Sequence, residues 1–303
     1  MNLFNLVYKA CQYIYSRERF FGSGFFLRNI PNLILPKPKG ETVVTTLWGG
    51  KIIVDATVDK GLERSIYYEG TYEFGCLYLI KMLLEKNYTF ADIGANIGLM
   101  TIFASKTLGD SGKVLSFEAN PSTVKILEKN VEINKCTNVH IKPFALGSST
   151  NKLKIYPNWN INRGGASLIN YDKDSSAGVE VDVLKLDDVI EKNSTIDLIK
   201  IDVEGWEIEV LRGAEKILKE KNAPALIIEY VKFQESSSYK AADVYNYLKN
   251  INNYKIYKMK DGKSRVSPLV RIMTEDDLPE HDNLLYLLPH HEERLIKKGV
   301  KFS

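Results

Sequence analysis

After residue 75 the chain switches between two hydrophobic rhythms. Short, nearly unbroken apolar runs at 88–94, 113–119, 139–146, 196–203 and 224–231 read as strands. Between them, residues 76–86, 96–109, 121–134, 207–221 and 241–250 read as helices. Gly109 marks one helix end and Pro121 one helix start. Strands alternating with helices predict a parallel sheet covered on both faces, and the apolar continuity of 196–201 and 225–230 fits strands buried on both sides. Two last strands, at 254–260 and 283–289, suit an antiparallel edge. Residues 152–157 and 179–184 are strand-like pieces in a looser stretch. The fold class is α/β, doubly wound, and one domain suffices.

The region ahead of this pattern is different. Residues 41–58 alternate around the Gly49-Gly50 turn and predict a β-hairpin. Three prolines and a glycine at 31–40 read as a linker. Upstream, Leu3, Leu6, Val7, Ala10 and Ile14 fall at helical spacing, with Arg17 and Arg19 behind them. Such a helix either docks on its own domain or, through residues 1–20, touches a membrane surface or a partner. Lys9 interrupts its apolar run and no small-residue cleavage site follows, so it is neither a good signal peptide nor a span. The expected division is an N-terminal extension over 1–40 and a main domain over 41–303.

Composition narrows the function classes. A chain of 303 residues, 44% hydrophobic, can bury a substantial core. The net charge is only +3, and without a long basic run no nucleic-acid partner is expected. Cys11, Cys76 and Cys136 form no CxxC pair, which suits reduced thiols in a cytoplasmic protein. The four histidines lack zinc-site spacing.

In doubly wound sheets, ligands bind beyond the carboxyl ends of the strands. Four segments stand there. Residues 92–98 (DIGANIG) leave a strand and open a helix. Gly94 and Gly98 allow a tight turn, Asp92 can accept from an ammonium or hydroxyl, and the helix start offers N–H groups to a carboxylate. This is not GxGxxG, since Ala95 and Asn96 fill the stretch, so a zwitterion such as the methionine moiety of S-adenosylmethionine fits better than a pyrophosphate. Glu118, at the next strand end, can accept ribose hydroxyls. Asp202 and Glu204 follow a buried strand, where carboxylates suit acid–base work, cofactor contact or metal ligation. Glu229 ends another strand. Each has a plainer reading: a glycine turn, surface acids, or charges favoured at helix starts.

With these residues in hand, the chain resembles the FkbM family of S-adenosylmethionine-dependent methyltransferases. The likeness is carried by residues 92–98, by 200–205 (KIDVEG) continuing to 210–214 (VLRGA), by 185–189 (KLDDV), by 162–168 (NRGGASL) and by the lead-in at 64–73. The resemblance implies a class I, Rossmann-like sheet of seven strands with an antiparallel last strand. It also implies O-methylation of a sugar, polysaccharide precursor or secondary metabolite. It would place Asp92, Gly94, Asn96 and Gly98 around the cofactor's amino acid part, Glu118 on its ribose, and Phe144 and Ala145 near its adenine, with Glu73 facing it from the lead-in.

A sugar or alkyl hydroxyl must lose its proton, and Asp202 and Glu204 are the candidate catalytic residues. Asp202 with Glu229 could instead hold a divalent ion, but no dense carboxylate cluster is visible, so no metal ligands are assigned. Lys200 points out of the sheet mouth or faces a helix. Tyr156 and Trp159 stack on a sugar ring or pack in the core. Against this stand a nucleotide-dependent oxidoreductase, disfavoured by the missing GxGxxG, and a cofactor-binding, non-catalytic protein on the same fold. No residue excludes an amine acceptor.

Overall fold

The computed structural model describes residues 3–156, 165–170, 178–192, 194–232 and 242–303. Two helices open it. α1 (Leu3–Tyr15) buries Val7, Tyr8, Cys11, Ile14 and Tyr15. Tyr8 Oη donates to the Tyr67 carbonyl at 2.5 Å, and Tyr15 Oη to Glu69. The apolar face expected for this helix is divided: Val7 and Ile14 are buried, whereas Leu3 and Leu6 are exposed. The stretch expected as a linker begins as helix, because α2 (Ser23–Ile34) runs through Pro31. Pro31 lies near the helix end and still caps it, accepting from Leu35 N at 3.0 Å, so only one late-turn hydrogen bond is forfeited.

β1 (Thr42–Thr45) and β2 (Lys51–Val54) form the expected hairpin, paired antiparallel from Thr42↔Val54 to Thr45↔Lys51. α3 (Leu62–Glu69) and α4 (Phe74–Leu83) lead into the sheet. Then come β3 (Thr89–Ile93), α5 (Leu99–Leu108), β4 (Lys113–Phe117), α6 (Pro121–Ile133) and β5 (Val139–Lys142). The run at 139–146 divides at Pro143: β6 (Ala145–Leu146) joins β7 (Asn151–Ile155) and β8 (Val179–Leu184) in a separate three-stranded sheet, order β6-β8-β7. α7 (Leu186–Val189) returns the chain to β9 (Leu198–Ile201), followed by α8 (Glu207–Arg212), α9 (Glu215–Leu218), β10 (Ala225–Val231) and α10 (Ala242–Ile251). The chain ends through β11 (Lys255–Met259), β12 (Leu269–Ile272), β13 (His281–Leu287) and α11 (Pro289–Lys297).

The main sheet has the order β12-β11-β13-β10-β9-β3-β4-β5. From β5 to β10 it is parallel, and β13 lies antiparallel between β10 and β11. This is the doubly wound, Rossmann-like α/β sheet that the sequence predicts. One strand was not expected: β12 adds an eighth, antiparallel to β11. The alternation of side chains along each strand divides the core between two faces. Phe90 joins Ile80, Ile102 and Val114 on one, while Ala91 joins Ile201, Leu211 and Tyr286 on the other. The winding reverses between β3 and β9, where the register Asp92↔Lys200 and Ile93↔Ile201 brings two strand ends side by side.

Candidate functional site

A cleft of about 1160 Å³, counting its solvent-open mouth, lies over these strand ends. Glu73, Asp92, Gly94, Asn96, Glu118, Phe144, Ala145, Asp202 and Glu204 all line it, as do Lys200 and Glu229. Gly98 does not. It caps α5 with φ 93°, and a Cβ there would lie 2.5 Å from Leu127 Cδ1, so its role is the helix start.

The turn after β3 is held by its neighbours. Gly94 N and Ala95 N both donate to the Phe117 carbonyl at 2.9 Å. At Gly94, φ is 80° and a Cβ would sit 1.8 Å from the Asp202 carbonyl oxygen. The glycine is therefore required by close approach of the two strand-end turns, not by free space for a ligand alone. Glu118 accepts from Asn96 N at 2.9 Å and from Asn120 N at 2.8 Å, which fixes its carboxylate at the mouth. Burial raises its pKa, against the pull of those N–H groups. Asp92 accepts from Thr101 Oγ1 at 2.6 Å through Oδ2, while its buried Oδ1 has no hydrogen-bond partner. Burial raises the Asp92 pKa too, opposed chiefly by Lys200. A buried acceptor without a donor costs free energy unless something supplies one. The residues thus fit a ligand with an ammonium at Asp92 and hydroxyls at Glu118.

The acids at the ends of β9 and β10 form a cluster that the spacing of the sequence concealed. Carboxylate oxygens of Asp202, Glu204 and Glu229 lie within 4.8 Å of one another. The expectation that no dense carboxylate group exists is corrected, because β9 and β10 are neighbours although Glu229 is far from Asp202 in sequence. Two lysines counter the charge. Lys200 Nζ is 2.7 Å from Asp202 Oδ2, and Lys263 Nζ is 2.6 Å from Glu229 Oε1 and 2.7 Å from Glu73 Oε1. Both ammonium groups are held charged above the usual lysine range, their carboxylate neighbours outweighing burial. His281 Nε2 adds a contact to Glu229 at 2.9 Å, and Asn283 Nδ2 donates to Glu73 Oε2 at 2.8 Å.

The acids therefore separate in acidity. Burial and the Glu229 charge raise the Asp202 carboxyl to about 7, against Lys200. Glu204 is pushed up to about 8 by burial and then by Asp202. Glu229 is held well below the carboxylate range, where His281 and Lys263 overcome burial. Two acids whose surroundings drive them apart offer one proton acceptor near neutrality and one fixed negative charge. Glu207, the first residue of α8, closes the turn after β9, accepting from Val203 N at 3.2 Å and Gly205 N at 3.1 Å.

Backbone strain collects at the same place. Six non-glycine residues among those described have positive φ, and Glu73, Asn96 and Glu204 of these line the cleft. Such conformations cost about 1–3 kcal/mol each and persist where surroundings enforce them.

Sequence reasoning missed Lys263, His281 and Asn283. Lys263 lies in the turn between β11 and β12 and belongs to no motif, so only the packing of that turn against α4, where Cys76 N donates to the Lys263 carbonyl at 3.1 Å, reveals it. Of the two aromatic residues expected to stack or pack, Trp159 lies outside the described residues, as do residues 162–164, and the backbone of Tyr156 pairs with that of Ser167. Among the described residues, the cleft's aromatic groups are Tyr72, Phe117, Phe144 and Trp206, with Phe117 and Phe144 edge to face at 5.8 Å. Ala166 and Leu168 line it as well, and Ser167 Oγ donates to the Glu204 carbonyl at 2.8 Å. Two other stretches are architectural: Asp187 accepts from Lys216 N and Ile217 N, and Gly213 permits contact with the Gly147 carbonyl, 2.0 Å from where a Cβ would stand.

Residues 92–256, more than half of the chain, match the methyltransferase FkbM domain. Methyltransferase 1 of Beauveria bassiana is 28% identical over 146 residues, 41% of this chain and 57% of that protein. The hexuronic acid methyltransferase AglP of Haloferax volcanii is 26% identical over 149 residues, 48% of this chain and 58% of that protein. The crystal structure of methyltransferase FkbM from Methylobacillus flagellatus is 20% identical, with a TM-score of 0.46, over 71% of this chain and 48% of that one. The chain spans less than two thirds of the length of each of these proteins.

Proposed function

The chain belongs to the FkbM methyltransferase family, and from that premise we propose that it methylates a hydroxyl oxygen of a sugar-containing acceptor, using S-adenosylmethionine. One observation carries the reading. A single cleft holds an unpartnered buried acceptor, Asp92 Oδ1, a fixed carboxylate, Glu118, and a carboxyl raised to about 7, Asp202.

Asp92 would hold the cofactor's ammonium and Glu118 its ribose hydroxyls, with Phe144 and Ala145 beside the adenine. S-adenosylmethionine, when bound, supplies a methyl group already activated for in-line displacement by an oxygen. What remains for the protein is to position the acceptor and take its proton. Positioning is worth about 7–11 kcal/mol in well-oriented cases. Asp202 Oδ2, oriented by Lys200 Nζ, is the proton acceptor, and a general base contributes roughly a hundredfold or more. Glu229 keeps the negative charge that raises Asp202. A neutral amine attacks through its lone pair without losing a proton in the transition state, whereas a hydroxyl must give its proton up, and a carboxyl poised near neutrality favours the oxygen acceptor. The relative named for hexuronic acid supports a sugar acceptor.

The test is transfer of labelled methyl from S-adenosylmethionine to hexuronic-acid glycosides, followed by mass spectrometry of the site modified. Methyl ether formation that disappears in Asp202→Asn is expected. Labelling on nitrogen alone, or no thermal stabilisation by S-adenosylhomocysteine, would overturn the reading.

A further inference from the structure

The N-terminal segment carries a surface that the domain does not cover. Thirteen large hydrophobic side chains are exposed among the described residues, and eight of them lie within residues 3–34. The strongest are Phe21 at 104% relative exposure, Leu33 at 81% and Phe25 at 68%. Phe25 and Leu33 stand eight residues apart on α2 and so share one helical face. Phe20 and Phe21 occupy the turn just before it. On its other side α2 is held to the domain by buried Ser23 and Pro31, with Arg265 Nη2 donating to Ser23 Oγ at 3.1 Å.

Charge separates the occupants this face could take. Residues 1–40 contain Lys9, Arg17, Arg19, Arg28, Lys37 and Lys39 against one acid, Glu18, although the whole chain carries only +3. Arg17, Arg19, Arg28, Lys37 and Lys39 are all exposed. The centre of a protein–protein interface is depleted of charge, and two like-charged copies would repel. A helix with aromatic and aliphatic groups flanked by basic ones suits a bilayer whose headgroups are anionic. No helix among the described residues is long and apolar enough to cross a membrane, so the geometry is that of lying on the surface.

We propose that α2 and the turn before it form a peripheral membrane anchor for anionic phospholipid. Phe21, Phe25 and Leu33 enter the acyl boundary, and Arg17, Arg28, Lys37 and Lys39 meet the headgroups. The anchor reaches the site through the β11–β12 turn: Arg265 contacts Ser23, Val266 N donates to the Tyr15 carbonyl at 2.8 Å, and Lys263 of that turn holds Glu229. Docking thus fixes the cleft's orientation toward the bilayer.

The test is co-sedimentation of the whole chain with vesicles of phosphatidylcholine alone or with about one third phosphatidylglycerol. Binding to the anionic vesicles, weakened in molar salt, is expected. The double variant Phe25→Ser, Leu33→Ser should bind about tenfold or more weakly, because the apolar area entering the interface is lost. Both residues are exposed, so its melting temperature should match the parent's. Equal binding to neutral vesicles, binding untouched by the substitutions, or absence of binding each overturns the proposal. So does a dimer in light scattering that the double variant dissociates while vesicle binding is nil, since the face would then cover a second copy.

Discussion

Lys263 Nζ lies 2.6 Å from Glu229 Oε1, joining a turn near the end of the chain to the carboxyl end of a central strand. The same ammonium lies 2.7 Å from Glu73, whose side chain is 2% exposed. Lys263→Met should therefore leave two carboxylates without their main counter-charge. Removing one partner of a buried pair typically costs about 3–5 kcal/mol. A marked fall in denaturation midpoint is expected, partly restored by adding Glu73→Gln. Normal stability of the single variant would show that solvent already neutralises the acids.

The pH dependence of turnover follows from the Asp202–Glu229 relationship. Asp202 must be deprotonated to accept a proton, and its carboxyl is raised to about 7. The specificity constant kcat/KM should rise with pH up to about 7 and then level off. Glu229→Gln removes a neighbouring negative charge, so the rising limb should move toward acid by about one pH unit or more. An unmoved limb would exclude Asp202 as the titrating base.

Stability should run the other way. Glu204 is raised to about 8 and Glu207 to about 7, largely by burial. The folded chain retains these protons to near those pH values, whereas the unfolded chain releases them near the ordinary glutamate value of about 4.3. Between the two, the native state binds more protons, so stability present in acid is lost as pH rises. Glu204→Gln has no such proton, and its melting temperature should fall less than the parent's between about pH 5 and pH 9. Parallel curves for both proteins would refute the assignment.

Gly94→Ala should damage fold and site together. The added Cβ would stand 1.8 Å from the Asp202 carbonyl oxygen, and φ is 80°. The left-handed backbone alone costs roughly 1–2 kcal/mol for an L-residue, before any clash is relieved. A lowered melting temperature together with weaker S-adenosylhomocysteine binding by calorimetry is expected. Loss of binding with unchanged stability would mean that the turn has room to adjust.

Peripheral divalent cations should have little effect on the three-carboxylate group. Lys263 Nζ and Lys200 Nζ already contact Glu229 and Asp202, and a dication would have to compete with both. Magnesium or manganese should leave the melting temperature unchanged, and chelators should leave turnover unchanged. A clear metal-dependent stabilisation would show that a lysine yields its place.

The doubly wound sheet was legible because its causes are local. Buried runs such as 198–201 and 225–230, helical periods between them, and glycines at strand-end turns all act within a few residues. Placing Asp92, Glu118 and Asp202 at one edge needed only that topology, since parallel strands carry their ends to the same side. Pro143 could have warned that the run 139–146 divides, and Pro31 misled because a helix tolerates proline near its end. What only the tertiary structure decided was the company these residues keep. Whether Glu229 meets Asp202, whether Lys263 and His281 hold it ionised, and which side of the N-terminal helices stays exposed depend on contacts between segments far apart in the chain. Acidity in particular is a property of the assembled surroundings: burial and neighbouring charge move the Asp202 carboxyl to about 7, and neither exists until β9, β10 and the β11–β12 turn pack together.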